Sequence, residues 1–180
     1  MRLSRSNQLI LGLAVVAAAI GGYVQHRSQS ATATDSAMLG QLLPALVLTD
    51  LDGKPHPLSE YRGHRLLLNF WASWCAPCLD EMPALSRAQA KFGEQGPIIV
   101  GIAMDEPARA RAFLAAHRLN YPILLGQLAA PSTSLQLGNR DEVLPYSVLV
   151  DADGHIAATH AGALPAAQLE QWLASARTAD

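Results

Sequence analysis

Cys75 and Cys78 are the two cysteines of the chain, three residues apart in Trp71-Ala72-Ser73-Trp74-Cys75-Ala76-Pro77-Cys78. Thiols at this spacing can close a small disulfide ring and reopen it by exchange, in which a thiolate attacks a disulfide sulfur through a mixed-disulfide intermediate. The pair stands where a nearly continuous apolar run, Arg65 to Trp71, hands over to helix-favouring residues, Ala76 to Phe92. A thiol at a helix N-terminus meets unsatisfied N–H groups and the positive end of the macrodipole. Both favour the thiolate, the reacting form. Cys75 is therefore expected to attack. Cys78, one turn further in, is expected to be more buried and to resolve the mixed disulfide by attacking Cys75, closing the Cys75–Cys78 bond. Pro77 falls in the first turn, where its missing donor costs little, and it stiffens the ring.

Other readings of the pair stay open on these residues alone. As a mere crosslink it would be a poor staple, since loop closure over so short a ring is worth only about 2 kcal/mol. As a metal site it would suit soft Cu(I) or Zn, but no His or third Cys lies close enough in sequence to complete the ligand set. A peroxidase needs a low-pKa cysteine in a peroxide-shaped pocket, and the tryptophan-flanked pair points away from that.

The elements that must hold the pair follow from punctuation and periodicity. Ala45 to Asp50 reads as a strand closed by the turn Asp52-Gly53, and Arg65 to Trp71 as a strand covered on both faces. The helix from Ala76 to Phe92 stops at Gly93, and Pro97 to Ala103 is a second buried strand. Asp105-Glu106-Pro107 opens another helix with an acidic cap and a proline in its first turn. Tyr121 to Leu125 reads as a strand. Tyr146 to Val150 and His155 to His160 flank the turn Asp151-Ala152-Asp153-Gly154 as a hairpin. A last helix starts at Pro165 and puts Leu169, Trp172, Leu173 and Ala176 on one stripe. This order implies an α/β fold, a mixed sheet with helices on both faces.

A chain of 180 residues, half of them apolar and 16% charged, holds one ordinary domain plus an appendage. With a formal net charge of -2 it has no strongly basic face, so nucleic-acid binding is set aside. The appendage is the N-terminus: Gln8 to Val24 carries no charge and follows Arg2 and Arg5. Its length is at the short edge of the spanning range of about 17–25 residues. Residues 1–24 are expected to be a signal anchor, with cleavage after Ser30 or Ala33 as the alternative, and residues 25–38 a linker. The basic flank places the N-terminus in the cytoplasm and the rest of the chain outside, in an oxidising compartment.

From about Leu39 to Trp172 the chain resembles the thioredoxin superfamily, and within it the exported, membrane-anchored thiol–disulfide oxidoreductases of the TlpA/ResA type. The resemblance rests on Leu67-Leu68-Asn69-Phe70-Trp71, on Trp74-Cys75-Ala76-Pro77-Cys78, on Val143-Leu144-Pro145-Tyr146-Ser147-Val148-Leu149-Val150-Asp151 and on Asp153-Gly154. It implies a thioredoxin-like domain over residues 39–180, with an N-terminal β-hairpin extension and an inserted helix–strand unit at about Asp105 to Leu125. It also assigns roles. Cys75 and Cys78 are the redox pair, and Trp74, Leu144 and Pro145 the substrate-binding positions. Pro145 matches a cis-proline that leaves the Leu144 backbone free to pair with substrate; an edge or turn proline is the alternative. Glu81 matches an active-site glutamate able to take the proton of Cys78; complementing the helix dipole beside Asp80 is the alternative. Asn69 departs from thioredoxin itself, which has a buried aspartate there, and Tyr146-Ser147 departs from the more usual Thr-Thr.

The activity implied is reduction of disulfides in exported proteins by a monomer in the periplasm, anchored to the inner membrane through residues 8–24. No cofactor or metal beyond the Cys75–Cys78 disulfide is implied. The implied partners are disulfide-containing exported proteins, among them apocytochrome c or copper-handling proteins, and a membrane electron donor of the thiol-transfer type. A disulfide-introducing oxidase or isomerase is the alternative within the same chemistry, and a Cu(I)-handling metallochaperone or binding module the alternative outside it.

Overall fold

The computed structural model describes residues 38–93 and 96–174. The expected anchor, residues 1–24, lies outside them, as does the expected linker up to residue 37.

The centre of the molecule is β3 (Leu66–Trp71), in which all six side chains are buried. Side chains alternate between the faces of a strand. Leu66, Leu68 and Phe70 therefore join one core cluster, with Val100, Ile102 and Val148. Leu67 joins a second with Ile99, Leu149 and Trp172. Each large side chain so buried contributes about 1.5–3 kcal/mol relative to exposure. Asn69 occupies the same face as Leu67, and it is the polar member of an otherwise apolar strand.

Around β3 runs a seven-stranded mixed sheet. It comprises β1 (Val47–Asp50), β2 (Pro55–Pro57), β4 (Ile98–Ala103), β5 (Ile123–Leu125), β6 (Tyr146–Val150) and β7 (Ile156–Ala161), in the order β2-β1-β5-β4-β3-β6-β7. β3 pairs with β4, and β4 with β5, in parallel; the other pairings are antiparallel. The parallel pairs are bridged by α1 (Ala76–Phe92) and α2 (Pro107–Ala116). Both crossovers step the same way across the sheet, so right-handedness puts both helices on one face. α4 (Ala166–Ala174) joins α1 there through Leu169, Trp172 and Leu173. The opposite face is covered by Met38, Leu43, Leu46, the 3-10 turn Leu58–Tyr61 and Leu137, which follows the short α3 (Thr133–Gln136).

The hairpin β1–β2 and the helix–strand unit α2–β5 are the extension and insertion expected from the resemblance. α1 spans the expected residues, starting with Pro77 in its first turn and stopping at Gly93, whose φ of 65° suits glycine. β5 starts at Ile123 rather than Tyr121, because Pro122 has no N–H to give the ladder and serves as acceptor for Gly101 instead. Among the described residues no helix is long and apolar enough to cross a membrane. Nor, among them, do three or more His, Cys, Asp or Glu gather as a metal site.

Candidate active site

Cys75 is the N-cap of α1, and its sulfur is bonded to that of Cys78, with 5.3 Å between the Cα atoms. The ring follows from the helix start: Cys75 C=O accepts the N–H groups of both Cys78 and Leu79, folding one cysteine back over the other. Cys75 is 4% exposed and Cys78 is fully buried. Trp74, immediately before, is 67% exposed. The outer sulfur thus sits beside an exposed aromatic side chain, while the inner one is closed off from solvent. A second hold comes from just beyond β4: Asp105 Oδ2 accepts both the backbone N–H of Ser73, at 2.9 Å, and its hydroxyl, at 2.5 Å. This bond ties the loop carrying Trp74 and Cys75 to the end of a central strand. The acidic N-cap expected at the start of α2 is Glu106, without a side-chain bond of its own, and the Asp105 carboxylate holds Ser73 and the Glu106 N–H.

α1 buries Cys78, Glu81, Met82, Leu85 and Ala88, which is one helical stripe. Glu81 occupies a core position in that stripe, one turn after Cys78, and is 7% exposed. Its Oε1 accepts from Asn69 Nδ2 at 2.7 Å and its Oε2 from the Leu164 N–H at 2.8 Å. Burial pushes its carboxyl above the ordinary carboxylate range, against the opposing pull of the Leu164 N–H, the Asn69 amide and His160. Asn69 also reaches Ser147 Oγ at 3.2 Å. Tyr121 lies in the same surroundings, its phenol pushed up by burial and then by the charge of Glu81. A carboxyl poised in this way, one helical turn from the inner cysteine, can take up and return a proton.

The Leu144–Pro145 peptide is cis. Leu144 packs against the cluster that contains Trp71, Cys75, Cys78 and Met82, so the chain entering β6 lies alongside the disulfide. Val143, next to it, is 42% exposed. Cys75, Cys78 and Leu144 therefore meet in one cluster, Trp74 stands at its rim, and Glu81 lies on the inner side of α1. Neither the Asp105–Ser73 bond nor Leu164 as a donor to Glu81 is legible in the sequence. A signal for Glu81 itself was present, a charged residue at a core position of an amphipathic helix.

Residues 39–159 match the AhpC/TSA family. The thiol–disulfide oxidoreductase ResA of Geobacillus kaustophilus is 31% identical over 164 residues, 91% of this chain and 91% of that protein. ResA of Bacillus cereus is 31% identical over 140 residues, 77% of this chain and 79% of its own length. The fold is similar to that of a candidate thiol:disulfide interchange protein DsbE from Chlorobium tepidum, with a TM-score of 0.67 and 29% identity over 77% of this chain and 96% of that one. A thioredoxin-related protein from Neisseria meningitidis aligns with a TM-score of 0.65 and 28% identity over 73% of this chain and 99% of its own.

Proposed function

The chain belongs to the AhpC/TSA family and is a thiol–disulfide oxidoreductase with Cys75–Cys78 as its redox group, and from that premise we propose that it works as a reductant of disulfides in exported proteins. The observation that carries the direction is the buried carboxyl of Glu81 one turn after Cys78. A strongly oxidising pair owes its potential to stabilisation of its reduced, thiolate form. A carboxylate one turn from the inner cysteine opposes a second negative charge there and so withholds that stabilisation.

The reaction runs in two exchanges. In the reduced protein the Cys75 thiolate, favoured by the α1 N-terminus, attacks one sulfur of the substrate disulfide. That S–S bond breaks, a Cys75–substrate disulfide forms, and the departing thiolate takes a proton. Glu81 then accepts the proton of Cys78, whose thiolate attacks the Cys75 sulfur. The second substrate sulfur leaves as a thiol, and the Cys75–Cys78 disulfide is the product. Two electrons pass to the substrate, with one proton from Cys78 by way of Glu81 and one from water, and no other redox group takes part. Trp74, Val143 and the Leu144 backbone before Pro145 form the surface that a substrate segment meets.

The protein is then a monomer of the periplasm, held to the inner membrane through residues 8–24, with residues 39–180 as its thioredoxin-like domain. A membrane thiol-transfer protein returns it to the dithiol form. Direction is tested by mixing the reduced full chain with an oxidised model peptide and, separately, the oxidised chain with the reduced peptide. The reading expects rapid transfer in the first mixture and little in the second; the reverse pattern overturns it.

A further inference from the structure

Glu81 reaches the surface through one peptide group. Its Oε2 accepts the N–H of Leu164 at 2.8 Å. The carbonyl of that same peptide belongs to Ala163, and it accepts from Nε2 of His160 at 3.2 Å. A carbonyl can only accept, so Nε2 carries the ring proton in this arrangement. The result is a chain of donors running one way, from imidazole to carbonyl, and from the amide of the same plane to carboxylate. The sheet aligns a second path beside it, since Asn69 stands opposite Ser147 and Ser147 opposite His160 across β3, β6 and β7. Asn69 bonds both Glu81 and Ser147. His160 stands on the edge strand, half-buried, with its ring edge-on to Trp172.

We propose that the Ala163–Leu164 peptide couples His160 to Glu81, making His160 a positioning residue that sets the pH at which Glu81 takes up its proton. A donor on the carbonyl polarises the amide and strengthens its N–H as a donor to the carboxylate, and a protonated imidazole does so more strongly. Histidine is the side chain whose charge ordinarily changes across the physiological range. The other titratable groups about Glu81 are Cys78 on its own helix, which does not titrate as a disulfide, and Tyr121 before β5. Asp80 on α1 is exposed, and Glu170 on α4 bonds Lys91 instead. β3 and β6 present the neutral Asn69 and Ser147.

The inference rests on Glu81 as proton carrier, so the test reads the two separately. In the oxidised full chain, labelled at glutamate with 13C, the Glu81 carboxyl titration is followed in wild type, His160→Gln and His160→Ala. Gln offers a neutral donor to the Ala163 carbonyl, and Ala offers none. The titration midpoint is expected to rise by about half a pH unit in His160→Gln, a threefold change in proton affinity, and by more in His160→Ala. Midpoints unchanged in both variants overturn the coupling. The pH profile of Cys78 alkylation in the reduced chain, with Glu81→Gln as reference, reads the carrier role. If the midpoints move while Glu81→Gln leaves that profile unchanged, the coupling stands and the carrier role falls.

Discussion

Glu81 and Asp50 are both carboxylates furnished with backbone and side-chain donors, yet their acidities move in opposite directions. Asp50, at the end of β1, accepts the N–H groups of Asp52 and Lys54 at 2.9 Å each and faces His56 Nε2 at 3.3 Å. The Lys54 bond draws its carboxyl below the ordinary range, and what desolvation there is does not reverse this. His56 is in turn pushed up, first by Glu60 and then by Asp50. Glu81 has comparable donors but sits inside, and burial outweighs them. The count of hydrogen bonds therefore does not decide the direction; access to water does. The solvated cluster ties a hairpin together. The buried one is held by Asn69 and Leu164 at a core position of α1.

The sharpest separation of the two regions comes from activity. Cys75→Ser should reduce catalysed insulin reduction to background, while His56→Gln should leave it at the wild-type rate. Cys78→Ser should accumulate a mixed disulfide through Cys75, visible as a mass increase reversed by dithiothreitol. Next in size is Glu81→Gln, for which loss of the proton carrier should slow release of the mixed disulfide by about a hundredfold at neutral pH and flatten its pH profile.

Stability separates the regions by sign. Folded Glu81 holds its proton more tightly than the unfolded chain, so from the ordinary carboxylate value up to its raised value the native state binds more protons. Stability falls with rising pH across that window, and Glu81→Gln should remove this slope in denaturant titrations. Gly101→Ala tests the packing around the same site. An added Cβ would stand 2.6 Å from Ile123 Cδ1 and 3.2 Å from Trp71 Nε1 and Tyr121 Cε2, and it should cost about 1–3 kcal/mol. The smallest effect belongs to the hairpin. His56 has a raised folded value, so its contribution is full below the ordinary histidine value and is lost as pH rises through the raised one. His56→Gln should weaken the protein slightly in acid and not at all in alkali. A large effect at alkaline pH would mean that the ring acts through packing rather than charge.

What could be read in the sequence depended on how far apart the interacting residues lie. α1, β3 and the β6–β7 hairpin were legible because an apolar run, a proline at a helix start and the turn Asp151 to Gly154 are local signals. The mixed sheet with flanking helices followed from the order of the elements, whereas the hairpin extension and the inserted unit came with the resemblance. β2 was not read as a strand, since two of its three residues are prolines, tolerated there because it is an edge. α3 is four residues long and rests on the Ser132 side chain as its cap, too short for periodicity to register. In the site, the cysteine pair announces itself by spacing, whereas Glu81 came with the resemblance. The donors that set its acidity could not be read, because Leu164 stands 83 residues away and meets it only once α1 and the turn after β7 have packed on the same sheet.

Whether the pair donates electrons is decided by the reduction potential of the Cys75/Cys78 couple, equilibrated against glutathione or dithiothreitol buffers. A reductant should show a value at or below about -250 mV, near thioredoxin; a value near about -120 mV, that of a strong periplasmic oxidant, would make this protein a source of disulfides instead.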